Sequence, residues 1–96
     1  MRIVWLRTAI MDLSDIKDYI IKENPRAAKK VVNTIKAAVL GLAENPYIGR
    51  KGRVEGTREL VTSYSAYIVP YKVYDDRIVI LRVMHTARKW PKNFNL

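Results

Sequence analysis

Cysteine is absent from the 96-residue chain. That absence excludes disulfides and thiolate zinc sites, and it fits a reducing cytoplasm. No apolar run approaches the roughly 20 residues that a membrane helix needs. The N-terminus, Met1-Arg2-Ile3-Val4-Trp5-Leu6-Arg7, meets arginine too early for a signal peptide, so the start of a mature cytosolic protein is expected. Repeats, low-complexity tracts and interdomain linkers are also missing, and residues 1–96 are expected to form one domain. Acidic side chains are scarce. Nine Asp and Glu stand against eighteen Lys and Arg, for a formal net charge of +9.

That charge predicts an acidic partner: nucleic acid, an acidic protein, or both. The plainer reading is a solubilising surface. The charge is uneven. Residues 1–49 carry 8 Lys/Arg and 5 Asp/Glu, whereas residues 50–96 carry 10 and 4. Hydrophobic residues make up 49% of the chain, too many for a disordered one. A domain this small hides only about 60–65% of the surface its unfolded chain exposes, so its core has to be compact.

Val4 to Leu6 suits a short first strand. Thr8 is the expected N-cap of a following helix, with Asp12 in its first turn favoured by the helix dipole. Ala9, Leu13, Ile16 and Ile20 share one face of that helix. Asn24-Pro25 stops it and starts another, because proline restricts the residue before it yet suits a helix's first position. Ala28, Val31, Val32, Ile35, Ala38, Val39 and Leu42 then form a wide apolar stripe, until Asn45-Pro46. So short a break between helices predicts a packed hairpin.

Residues 45–57 read as a loop in which Gly49, Gly52 and Gly56 alternate with Arg50, Lys51 and Arg53. Such a loop is either simply mobile or contacts phosphate. It lacks the flanking strand and helix of a P-loop. Beyond it, Arg58 to Thr62, Ala66 to Tyr74 and Arg77 to His85 are rich in Val, Ile and Tyr and read as strands. Asp75-Asp76 marks a turn. Pro70 cannot donate to a ladder, so a bulge or a locally open edge is expected there. Trp90-Pro91, in a tail from Ala87 to Leu96, is expected to pack on the sheet. The order is β-α-α-β-β-β: an α+β fold with a helical hairpin on one face of a small, mostly antiparallel sheet.

Several motifs fall in a specific order. Trp5 precedes an amphipathic helix containing Asp12-Leu13-x-x-Ile16-x-x-Tyr19-Ile20. Then come Asn45-Pro46-x-x-Gly49-Arg50 and Gly56-Thr57-Arg58-Glu59-Leu60-Val61. Tyr67-Ile68-Val69-Pro70-Tyr71-Lys72-Val73 follows, and last Ile80-Leu81-Arg82-Val83-Met84-His85-x-Ala87-Arg88-x-Trp90-Pro91. Together they resemble the ParE/RelE superfamily of toxins over almost the whole chain. The resemblance implies the toxin of a type II toxin–antitoxin system, neutralised as a hetero-oligomer by an acidic antitoxin encoded beside it.

The superfamily has two main branches. RelE-like members cut messenger RNA on the ribosome, and ParE-like members block DNA gyrase. A metal-free endoribonuclease needs a base for the 2′-hydroxyl, an acid for the leaving oxygen and cations for the phosphorane. His85, Arg82, Arg58 and Glu59 are the candidates, with Arg88 nearby and Tyr71 or Tyr64 to orient a base ring or donate a proton. Each also has a structural reading. A lone histidine at a strand end serves as a hydrogen-bonding residue, and tyrosines at strand spacing serve as packing. Arg58 and Glu59, adjacent on a strand, point to opposite faces.

RelE-like nucleases typically carry an arginine in the middle strand, in a Tyr/His-Arg-Leu-Val-Tyr pattern. Here Ile68 holds its place, and isoleucine cannot neutralise a phosphorane. The lysine-rich helix of some RelE nucleases is echoed only by Lys29 and Lys30. The chain is therefore more similar to the ParE branch, where Tyr-Ile-Val-x-Tyr-x-Val is common. That reading implies a non-enzymatic gyrase inhibitor whose target surface is Arg50, Lys51, Arg53, Arg82, His85, Arg88 and Trp90, since an aromatic among arginines suits a binding hot spot. The alternative partner is the ribosome with mRNA. Neither reading calls for a metal or another cofactor, and neither involves a membrane.

Overall fold

A computed structural model describes every residue except 64, 65, 88, 95 and 96. Two expectations, for Tyr64 and Arg88, lie outside the described residues. The first strand, β1 (Arg2–Trp5), begins two residues earlier than the sequence suggests. Pairing is the reason: β1 runs parallel to β5 (Arg77–Ile80), with Arg2 opposite Arg77 and Trp5 opposite Ile80. Leu6 only continues that ladder by donating its N–H to the Ile80 carbonyl at 2.9 Å.

Helix α1 (Arg7–Ile21) buries Ala9 and Leu13 and tucks Ile16 against the same core. Thr8 is not its N-cap. Leu6 holds that position without a side-chain hydrogen bond. Thr8 lies inside the first turn, and its hydroxyl donates 2.9 Å to the Leu81 carbonyl, fastening the helix start to the sheet. Helix α2 (Pro25–Leu40) starts as its sequence predicts. The Asn24 side chain accepts from the Ala27 N–H at 3.1 Å, and Pro25 occupies the first turn. Ala28, Ile35 and Val39 are buried, and a closing 3₁₀ turn, Gly41–Ala43, buries Leu42. Fully burying a side chain the size of Ile35, Val39 or Leu42 contributes about 1.5–3 kcal/mol.

More strands follow the helices than the sequence pattern suggests. They are β2 (Arg50–Lys51), β3 (Arg58–Val61), β4 (Tyr67–Val73), β5 and β6 (Met84–His85). Among the described residues the sheet order is β1-β5-β4-β3-β2, with β6 also paired to β4. Only β1 against β5 is parallel. Two corrections follow. Arg50 and Lys51, expected in a loop, pair antiparallel with Glu59 and Arg58. The expected strand 77–85 is interrupted at residues 81–83.

Pro70 accounts for that interruption. Its carbonyl accepts the Leu81 N–H at 3.0 Å, so its ring nitrogen faces the same side, where β5 has ended and β6 has not begun. The missing N–H therefore falls at a gap in the ladder and leaves the β3 pairing, where Pro70 is opposite Glu59, intact. The core lies between the helical hairpin and the sheet face bearing Leu60, Val69, Tyr71, Ile78 and Ile80.

Candidate functional site

Side chains alternate across a strand, so the neighbours of those core residues project from the other face. Glu59 is one of them, and its side chain is only 3% exposed. A buried carboxylate is costly unless it is paired and hydrogen-bonded. Glu59 has both kinds of compensation. Its Oε1 accepts from Arg50 Nε at 3.1 Å and Nη2 at 2.9 Å. Its Oε2 accepts from the Arg53 backbone N–H at 2.9 Å and from Arg53 Nε at 3.1 Å. Burial pushes the carboxyl pKa up, but the hydrogen bonds from Arg53 and Arg50 outweigh it, and the group sits below its ordinary value.

The loop is shaped around this carboxylate. Gly56, at φ 81°, makes the turn that returns the chain to β3. Arg50 and Arg53 keep about half of their side-chain surface exposed, and Lys51 beside them is exposed. The Arg53 guanidinium lies 3.6 Å above the Trp90 ring centroid, a cation–π stack that draws the C-terminal tail onto the loop. The Trp90 indole N–H is buried without a hydrogen-bond partner, the one such side-chain group among the described residues.

Other sequence candidates have internal roles. Arg58 donates through Nη1 to the carbonyls of Gly49 (2.8 Å) and Tyr47 (3.2 Å), and stacks 5.0 Å from the Tyr47 ring. Tyr71 is fully buried. Its hydroxyl accepts from the Gly49 N–H at 2.9 Å and donates to the Pro46 carbonyl at 2.8 Å. Gly49 has to be glycine because a Cβ there would meet Tyr71 Oη at 2.5 Å and the Glu59 carbonyl at 2.9 Å.

Arg82 is held by Asp12 on α1. Its Nε and Nη2 donate to the carboxylate at 2.6 and 3.0 Å, and the Val83 N–H adds a third bond at 2.9 Å. Hydrogen bonding to Asp12 raises the Arg82 pKa further above its already high ordinary value. Arg82 and Asp12 also line a depression with Lys89, Trp90 and Pro91. His85 packs edge-on against Tyr67, with ring centroids 5.3 Å apart, and its Nδ1 accepts the Ala87 N–H at 3.1 Å. The small pocket that His85 lines also contains Asp12 and Asp15. Arg82 takes up the Asp12 charge, which leaves the Asp15 carboxylate there to oppose a phosphodiester.

The structure thus gathers Arg50, Lys51, Arg53 and Trp90 around Glu59. It sets His85 in a separate, acid-lined pocket. Sequence reasoning weighed Glu59 as a base and missed its role as the loop's organiser. Two glutamates, Glu55 and Glu59, follow the three closely spaced cations, and the available signal was that only Glu59 falls in a strand-like stretch. Asp12, expected to serve the helix dipole, lies beyond the first turn of α1; its partner is Arg82, 70 residues away.

On the opposite side, between α1 and α2, runs an open groove of about 910 Å³. Its walls are mostly apolar, including Trp5, Leu13, Val32 and Leu40, and its charged residues are Lys17, Lys29 and Lys36. No helix among the described residues is long and apolar enough to cross a membrane.

Residues 3–90 match the family described as the ParE toxin of type II toxin–antitoxin systems, parDE. The putative toxin Y4kP of Sinorhizobium fredii is 46% identical over 95% of this chain and 94% of its own. Toxin RelE2 of Caulobacter vibrioides is 38% identical over 91% of this chain and 97% of its own. Among solved structures, a chain of the chromosomal ParDE toxin–antitoxin system from P. aeruginosa superposes with a TM-score of 0.80 at 32% identity, covering 88% of this chain and 95% of that one. The toxin–antitoxin complex RelBE2 of Mycobacterium tuberculosis gives 0.57 at 28% identity over the same shares.

Proposed function

The chain belongs to the ParE toxin family of type II toxin–antitoxin systems, and from that footing we propose that it arrests growth by binding DNA gyrase and holding the cleaved-DNA complex. It is a toxin of the ParE/RelE superfamily. The choice of target is the proposal. The observation that carries it is Ile68, 5% exposed on β4, where a nuclease of the superfamily would carry its phosphate-binding arginine. A buried isoleucine offers no charge to a phosphorane.

The remaining nuclease candidates support the same reading. Glu59 is saturated by four donors and is poorly suited to take a proton. Arg58 is engaged by backbone carbonyls, and Arg82 by Asp12. On this reading the target surface is Arg50, Lys51, Arg53 and Trp90, Arg82 and His85 serve the scaffold through Asp12 and Tyr67, and the protein acts by binding without chemistry of its own.

Neutralisation falls to an antitoxin. The solved relatives are toxin–antitoxin systems. The α1–α2 groove suits an amphipathic helix whose apolar stripe is flanked by acidic residues facing Lys17, Lys29 and Lys36. Both partners would meet in the cytoplasm.

A second reading, ribosome-dependent mRNA cleavage, is favoured by the RelE name of the Caulobacter relative. Brief expression in cells separates the two. The gyrase reading expects SOS induction and altered plasmid supercoiling with messages intact. Rapid codon-positioned transcript cleavage without DNA damage would sink it.

A further inference from the structure

We infer that the loop built on Glu59 is a preformed binding site for the phosphate backbone of duplex DNA, with Arg50, Lys51 and Arg53 as the contacting cations and Glu59 as their positioning residue. The inference deepens the gyrase reading and rests on it for the choice of duplex DNA as partner. A toxin that stabilises a cleaved-DNA complex has two surfaces available to grip, the enzyme and the DNA. This site has the chemistry of the second.

Flexible surface lysines and arginines lose side-chain entropy when they bind a phosphate. Here two guanidiniums are already fixed. Each spends its inner edge on Glu59: Arg50 uses Nε and one face of Nη2, and Arg53 uses Nε. The outer edges remain, on side chains about half exposed. Trp90 supports Arg53 from beneath at 3.6 Å. Arginine's planar fork suits phosphate, and it is weakly hydrated compared with an ammonium. One carboxylate shared by two arginines, with Lys51 adjacent, leaves the cluster net positive. The one other acid on the loop is the exposed Glu55.

An acidic protein is the competing partner, and its natural seat is elsewhere. The helical groove combines lysines with a long apolar floor, as a peptide helix requires. The loop offers arginines and a covered indole and no comparable apolar trough.

The two tryptophans sit one at each surface, Trp5 in the groove and Trp90 under Arg53. The full-length toxin is titrated with a fluorescein-labelled duplex in the absence of gyrase. Intrinsic fluorescence is followed in Trp5→Phe and Trp90→Phe proteins. Three phosphate contacts predict a log–log salt slope of about −2.7, so affinity falls about 40-fold between 50 and 200 mM salt. Duplex should perturb Trp90 in W5F and leave Trp5 unchanged in W90F. Lys51→Ala and Arg53→Ala should each reduce the slope by about 0.9. Lys29→Ala with Lys36→Ala, in the groove, should not.

Glu59→Gln separates positioning from bulk charge. It adds one positive charge to the chain, so a purely electrostatic patch would bind DNA more tightly. The positioning role predicts weaker binding, about eightfold at 0.1 M salt for each phosphate that a displaced arginine no longer reaches. A melting curve confirms that the variant is folded, and Lys51→Ala tests the site independently if it is not. A flat salt dependence, a response of Trp5, a loss on the groove lysines, or polyglutamate binding at Trp90 where duplex does not would each overturn the inference. A toxin that fails here yet traps gyrase breaks refutes only the DNA contact. One that binds DNA here yet traps none refutes the gyrase reading.

Discussion

Replacing Asp12 with alanine tests whether Arg82 belongs to the scaffold. The Asp12 carboxylate accepts from Nε and Nη2 along one edge of the Arg82 guanidinium and from the Val83 N–H, joining α1 to the segment between β5 and β6. The Asp12 side chain is 15% exposed and that of Arg82 33%. Removing one partner of a fully buried pair costs about 3–5 kcal/mol, because the other charge is left uncompensated. A third of Arg82 reaches water and recovers some of that loss, so about 2–3 kcal/mol is expected here. For a domain under 100 residues, about 4–8 °C of melting temperature goes with each kcal/mol, so a fall of about 10–20 °C is expected by calorimetry. A double-mutant cycle with Arg82→Met, which keeps the aliphatic stem, should give a coupling above the roughly 0.2–1 kcal/mol typical of exposed pairs. A melting temperature within about 3 °C of the parent would refute the reasoning, given that scale. So would an Arg82→Met protein of unchanged stability that had lost toxicity, because Arg82 would then act on the target.

Three further outcomes follow from the geometry. Tyr71→Phe leaves the buried Gly49 N–H without its acceptor and should cost about 1–3 kcal/mol in urea unfolding; an unchanged midpoint would contradict the account of that turn. The Glu59 carboxyl is held below its ordinary value near 4.5 in the folded state. Its contribution is therefore fully present above that value and lost as pH falls through the lower, folded one; Glu59→Gln should flatten the stability profile in that acid range, and an unaltered profile would count against it. His85→Ala should remain toxic in a growth assay, since His85 packs on Tyr67 beside the Asp15 carboxylate, and loss of toxicity in a stably folded variant would revive a catalytic role.

The helical hairpin is legible because its apolar positions recur at helical spacing and Asn24-Pro25 separates two such patterns. The strands are legible where burial on one face forces an alternation, as in Tyr67 to Val73. Strand β2 is not, because two consecutive cations, Arg50 and Lys51, carry no alternation, and the Glu59 carboxylate that Arg50 meets across the ladder is brought there only by the fold. The gap at residues 81–83 is equally hidden. Leu81-Arg82-Val83 continues a strand-like composition, and what opens the ladder there is Pro70 across the sheet together with Asp12 on a distant helix. The site residues divide the same way. Arg50, Lys51, Arg53 and Trp90 stand out as cations beside an aromatic. Glu59 and Asp12 look like ordinary surface acids until the fold buries the first and pairs the second with Arg82.

The central claim, gyrase as the target, meets its most direct test with purified components. Toxin, gyrase, ATP and relaxed plasmid are incubated, then treated with detergent and protease. The account predicts that linear DNA accumulates with toxin concentration and that supercoiling is lost. Undiminished supercoiling with no linear product, alongside cleavage of messenger RNA by the same preparation on translating ribosomes, would contradict it.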